Sequence, residues 1–131
     1  MNVRRTVATV TVTAAAFGGV TLLAPSAEAS GGDARVIKTG SCSGRADWKL
    51  KAKHDDGRLE VEFEIDTNQN GQVWHVRISD NGNRVFAGNR TTHGRSGSFS
   101  VEIRPGNRAG TDTIKARATR GGITCGGNVQ V

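Results

Sequence analysis

Three histidines, two cysteines and an arginine-dense stretch are the residues of this chain whose chemistry reaches beyond packing. His54, His75 and His93 are the candidates for acid–base work, because imidazole is the side chain that changes charge near neutral pH. Cleavage of a phosphodiester asks for a Glu, an Arg and a His converging on one phosphate, and Glu62, Arg77 and His75 supply those types. No motif ties them together. The sequence has no G-x-S-x-G elbow, no H-E-x-x-H and no P-loop, so it reads as non-enzymatic, with a small secreted phosphodiesterase or ribonuclease as a lesser alternative.

Arg84, Arg90, Arg95, Arg104 and Arg108 crowd a stretch rich in Gly, Ser, Thr and Asn, and are the candidate anion-binding residues. A guanidinium fork chelates phosphate or carboxylate, so arginines on adjacent loops would make a rim for an anion. Specific nucleic-acid recognition adds exposed aromatics for stacking. The chain has no Tyr, only Phe86 is a candidate, and the phases of Trp48 and Trp74 point them to the core, so no specific nucleic-acid partner is expected. Asp66-Thr67-Asn68-Gln69-Asn70-Gly71 spells the first half of a calcium loop. The twelfth position, where a bidentate Glu belongs, is Arg77, so an Asx-rich turn is the expectation. No cofactor or metal is implied.

Cys42 and Cys125 bear on the compartment. Met1–Ala29 has the grammar of a secretory signal peptide: Arg4 and Arg5, the apolar run Val7–Ala24, then Ala27-Glu28-Ala29 before Ser30. Its removal leaves 102 of the 131 residues, with 16 Lys/Arg against 11 Asp/Glu, or +5. No second apolar run follows, so no membrane span is expected after cleavage. Two thiols in an exported chain pair with each other, giving one disulfide. The positive balance favours an anionic cell-wall polymer or an acidic protein as partner, met by a monomer that is secreted or associated with the envelope.

The elements that must position these residues are strands. After a loose tail at 30–35, period-two alternation runs through 36–131, and no helical period is sustained. Trp48, Leu50 and Ala52 alternate with lysines; Leu59, Val61, Phe63 and Ile65 alternate with glutamates; Asp56-Gly57 sits between as a two-residue turn. That turn opposes Lys53 to Glu60, Lys51 to Glu62 and Lys49 to Glu64, and on the other face Ala52 to Val61, Leu50 to Phe63 and Trp48 to Ile65. A slip of one residue would ruin both faces, so the register is specified and the six charges form a self-satisfied solvent face. Further strands are expected at Val36–Cys42, Gln72–Ser79, Arg84–Gly88 (its facing ambiguous, a bulge allowed), Ser98–Arg104, Thr111–Thr119 and Ile123–Val131. Seven or eight short strands with frequent turns describe a β-sandwich in one domain.

Gly97-Ser98-Phe99-Ser100-Val101, followed by Ala109-Gly110-Thr111-Asp112-Thr113-Ile114-Lys115-Ala116-Arg117-Ala118, resembles the closing strands of bacterial immunoglobulin-like modules. The stretch after the signal peptide is also similar to small secreted actinobacterial proteins of unassigned function. The resemblance implies an all-β, Ig-like antiparallel sandwich and no particular activity. Asp112 stands where those modules usually carry an aromatic, so no tyrosine corner is expected. A different class in the same fold, a small-ligand carrier of the neocarzinostatin kind, is the alternative function; that group looks acidic, with a second disulfide and an open apolar cleft.

Overall fold

The structure, a computed structural model, describes residues 35–131; the signal-peptide reading of 1–29 and most of the expected tail lie outside the described residues. Eight strands follow one another: β1 (Arg35–Ser41), β2 (Asp47–Asp55), β3 (Arg58–Asp66), β4 (Val73–Asp80), β5 (Asn83–Thr91), β6 (Ser98–Ile103), β7 (Thr113–Arg120) and β8 (Ile123–Gln130). β1 begins at Arg35, the residue that sequence placed last in the tail.

The strands form two antiparallel sheets, β1-β2-β3-β6 (sheet A) and β5-β4-β7-β8 (sheet B). Leaving β1 aside, β2-β3-β6 against β5-β4-β7-β8 is the Ig order A-B-E against C′-C-F-G. The β2–β3 hairpin has the expected register, with Lys49, Lys51 and Lys53 opposite Glu64, Glu62 and Glu60. Both residues of the Asp56-Gly57 turn and of the Asn81-Gly82 turn take positive φ, as a type I′ hairpin requires for its twist to match the strands.

Alternation aims one apolar set from each sheet inward. Leu50, Ala52, Leu59, Val61, Phe63 and Ile65 from sheet A meet Trp74, Val76, Ile78, Ile114, Ala116 and Ala118 from sheet B, all at most 2% exposed. Fully burying a side chain of Leu or Phe size contributes about 1.5–3 kcal/mol, so this layer is the main source of stability. Trp48 closes the β1/β8 flank. A Cβ on Gly40 or on Gly127 would fall 2.8 and 2.5 Å from its indole ring, so both neighbours must be glycine for the ring to lie there. At the same flank Cys42, just after β1, is bonded to Cys125 in β8 across 83 residues.

In β5 one residue is extra. Ile78 pairs with Phe86 but Ser79 pairs with Arg84, leaving Val85 as a bulge. Phe86 turns inward, half-buried against the core. Strict alternation from Phe86 would turn Arg84 inward as well; the bulge instead sets it opposite Ser79, on the outer side of the sheet.

Candidate anion-binding face

Charge is divided between the two sheets. On the outer face of sheet A the lysines and glutamates neutralise each other: Lys51 Nζ lies 2.9 Å from Glu62, Lys53 Nζ 3.5 Å from Glu60 and Lys49 Nζ 3.6 Å from Glu64. The hydrogen bond from Lys51 holds the Glu62 carboxyl below its ordinary range, and the same bond raises the Lys51 ammonium. Glu62 also stands directly opposite Glu102 on β6, and Lys49 and Lys51 compensate that like-charge pair.

The outer face of sheet B has no such compensation. Inward Trp74, Val76 and Ile78 force His75 and Arg77 outward; inward Ile114, Ala116 and Ala118 do the same for Lys115 and Arg117. Register then stacks three outward rungs on β4 and β7: Ser79 with Lys115, Arg77 with Arg117, His75 with Thr119. Arg84 joins the first rung from the β5 side, opposite Ser79. None of the outward residues of these strands is a carboxylate, and among the described residues no ion pair involves Arg77, Arg84, Lys115 or Arg117. Like charges directly opposite each other in a ladder are destabilising, so the Arg77–Arg117 pair costs the fold a little stability.

Two shallow depressions mark this face. One of about 290 Å3 is lined by Arg77, Arg84, Lys115 and Arg117, with Ile78, Ser79 and Gly82. The next, about 230 Å3, is lined by His75, Arg77, Arg117 and Thr119, so the two share Arg77 and Arg117. His75 is held from both sides: its Nδ1 is 3.0 Å from Asn89 Oδ1, and Arg77 Nε donates to its Nε2 at 3.1 Å. With Asn89 as acceptor and Arg77 as donor, the imidazole carries its proton on Nδ1, and the terminal nitrogens of Arg77 stay free for an anion. A third depression of about 350 Å3, lined in part by Arg45, Gln69, Gln72 and Arg120, opens where the sheets meet the β3–β4 loop.

The five arginines singled out from sequence do not share one rim. Arg84 belongs to the face just described. Arg90 lies at the other end of β5, its guanidinium 4.8 Å from the centroid of the Phe86 ring. Arg95 is in the β5–β6 loop, close in sequence to Ser96, which accepts from the backbone of Asn68. Arg104 is on sheet A's side, paired with Asp55 at 3.2 Å and Glu60 at 3.4 Å. Arg108, in the β6–β7 loop, acts electrostatically on Asp80. Lys115 and Arg117 are not among the sequence candidates, and Arg77 is one only beside Glu62 and His75. Their outward phase was legible, but not the adjacency of β4 and β7, which are separated by two other strands in the chain.

The histidines lie apart. His54 is half-buried near the end of β2, His93 makes an isolated bridge to Ser98, and His75 is on sheet B. Glu62 is on the outer face of sheet A, so the Glu62, Arg77 and His75 trio does not converge on one phosphate. The Asp66–Gly71 segment is a clasp: the Thr67 hydroxyl, with one proton to give, lies within hydrogen-bond distance of the Gly97 and Gln69 carbonyls at 2.7 and 2.8 Å, and Asn68 takes φ of 60°. Gly97 has no room for a side chain, since a Cβ would lie 2.3 Å from the Gln69 nitrogen.

A buried acid pair is a feature the sequence reading did not foresee. Asp80 closes β4 and Asp112 precedes β7; they are 2% and 0% exposed. Asn81 Nδ2 donates to Asp112 Oδ1 at 3.1 Å, while Asp80 Oδ1 and Asp112 Oδ2 find no donor. Burial pushes the Asp80 carboxyl above its ordinary value, the facing Asp112 charge adds to this, as does the hydrogen bond that a protonated Asp80 gives Asp112, and Arg108 opposes it. Asp112 thus joins the β4–β5 turn to β7 through Asn81.

The fold and site define an all-β antiparallel sandwich with one disulfide and one uncompensated cationic face. No family model, no curated protein and no solved structure matches the chain.

Proposed function

We propose that this protein is a secreted, non-enzymatic binding module that holds to anionic polymer of the cell envelope through the outer face of sheet B. The observation that carries this reading is the segregation of charge: a neutralised outer face on sheet A, and on sheet B the cations Arg77, Arg84, Lys115 and Arg117 with no carboxylate among them. Basic composition alone is explained by solubility; a like-charge pair left opposed in a ladder is not. Guanidinium groups on a rigid sheet bind phosphate or carboxylate oxygens without the ordering cost a loop would incur. Export by the 1–29 segment and oxidation of Cys42 and Cys125 outside the cell fit the same location.

The experiment is co-sedimentation of the disulfide-intact protein with isolated bacterial cell walls at about 20 mM and about 150 mM salt. Wild type is expected to sediment at both, and the Arg77→Ala/Arg117→Ala variant to remain in solution at the higher salt. Failure of wild type to sediment at low salt, or undiminished sedimentation of the variant, contradicts the reading.

A further inference from the structure

The rungs of the cationic face have a spacing, and it resting on the reading above, we infer the repeat of the polymer: an extended, base-free phosphodiester chain of a three-carbon polyol, lying along β4 and β7 with one phosphate per rung. Outward rungs in an antiparallel sheet recur every two residues, about 6.8 Å apart. Two residues of extended backbone are six covalent bonds from Cα to Cα. A phosphodiester whose phosphates are joined through three carbons also has six bonds between successive phosphorus atoms, so an extended chain of that kind advances by nearly the same step. Each phosphate then meets one rung: Lys115 with Arg84, then Arg77 with Arg117, then the Thr119 hydroxyl beside His75.

The two depressions are the seats of this track, and their shared lining by Arg77 and Arg117 makes the track continuous. The middle rung, with two guanidiniums, grips a phosphate from both strands. Arg77 is aimed by its bond to His75 Nε2, and the Thr119 hydroxyl is a donor for the third phosphate. Inorganic polyphosphate, with two bonds between phosphorus atoms, puts several charges on each rung and leaves most without a partner. An acidic polypeptide laid along the strands matches the step, but its carboxylates alternate sides and carry chains of their own length. Single-stranded nucleic acid has the six-bond repeat but brings bases. No Phe, Tyr or Trp lines either depression, and the one ring there, His75, is tied to Asn89 and Arg77 by both nitrogens, so the large stacking platform of single-strand binders is missing and the bases bring mainly bulk.

The test is a competition panel by fluorescence polarisation on the full disulfide-intact protein at fixed ionic strength. The probe is labelled poly(glycerol phosphate); competitors, matched in total charge, are inorganic polyphosphate, poly-glutamate and oligo-thymidylate. The inference predicts that unlabelled poly(glycerol phosphate) competes at least tenfold better than polyphosphate or poly-glutamate, and no worse than oligo-thymidylate. It also predicts that Arg117→Ala erases this preference while Arg95→Ala keeps it. Binding of the probe with equal competition by all four polyanions overturns the repeat but leaves the anion-binding reading standing. Tighter competition by oligo-thymidylate overturns the base-free ligand in favour of nucleic acid. Absence of probe binding at low salt overturns both.

Discussion

At the scale of single residues, Asp80 and Arg117 stand in unusual electrostatic surroundings and each makes a prediction. Asp80 holds its proton more tightly folded than unfolded, because burial and the facing Asp112 charge penalise its ionised form. A carboxyl with a raised folded pKa contributes stability that is fully present below its unfolded value, near about 3.9, and is lost as pH rises through the folded value. Asp80→Asn keeps the shape, supplies an N–H for the orphaned Asp112 oxygen, and removes the titration. It is expected to raise stability at pH 7 by about 1 kcal/mol and to flatten the stability profile above about pH 4, as read by urea unfolding. A variant less stable than wild type at neutral pH would contradict this account of the pair. Glu62 has the opposite sign: depressed by Lys51, it adds stability above its unfolded value that fades as pH falls. The second group is Arg117, opposed to Arg77 without a carboxylate. Arg117→Gln is expected to raise stability by about 0.2–1 kcal/mol at low ionic strength while weakening polymer binding, and the stability gain should shrink as salt is added. A loss of stability would mean that the arginine packs usefully and that its charge is not held at a cost.

At the scale of elements, the β1/β8 flank depends on two missing side chains. Trp48 fits only because Gly40 and Gly127 leave space, so Gly127→Ala is expected to cost about 1–3 kcal/mol and to shift tryptophan emission. Chemical denaturation followed by fluorescence reads both; an unchanged midpoint would show that the ring moves aside without strain. This flank also marks the limit of what the sequence discloses. Local facts were legible: the β2–β3 register follows from Lys/Glu phase and one Asp-Gly turn, and the bulged facing of β5 is undetermined by the same logic because Val85-Phe86-Ala87 has no polar partner in phase. Contacts between distant strands, the Cys42–Cys125 tie apart, were not. Gly40 and Gly127 fall inside the expected strands Val36–Cys42 and Ile123–Val131, and nothing local shows why glycine is needed there until the tryptophan is seen between them. The cationic face was hidden in the same way, since Arg77 and Arg117 become neighbours only through the crossover that pairs β4 with β7. Density of arginine along the chain drew attention to Arg84–Arg108, yet four of those five lie off the face.

At the scale of the whole molecule, a small sandwich is closed by one long covalent tie and presents two electrically different outer faces. The tie spans 83 residues, and chain-entropy reasoning assigns such a loop about 4–5 kcal/mol. Cys42→Ser/Cys125→Ser is therefore expected to lower unfolding free energy by about 4 kcal/mol; a loss under about 1 kcal/mol would show that the reduced chain is already constrained by β1 and β8. The neutral face of sheet A serves the register, and the cationic face of sheet B is free to meet a polyanion. The most direct test of that division is the salt dependence of poly(glycerol phosphate) binding, comparing wild type with Arg77→Ala/Arg117→Ala and with Lys49→Ala/Lys51→Ala. Each phosphate neutralised by a protein cation releases counterion and contributes a slope of about −0.7 in log K against log salt for a single-stranded polyanion, so the two cationic rungs predict about −1.4 for wild type. The sheet B variant should be shallower by about 0.7 and the sheet A variant unchanged. Equal slopes for wild type and the sheet B variant, or a slope that falls only when the sheet A lysines are removed, would contradict the assignment of the binding face.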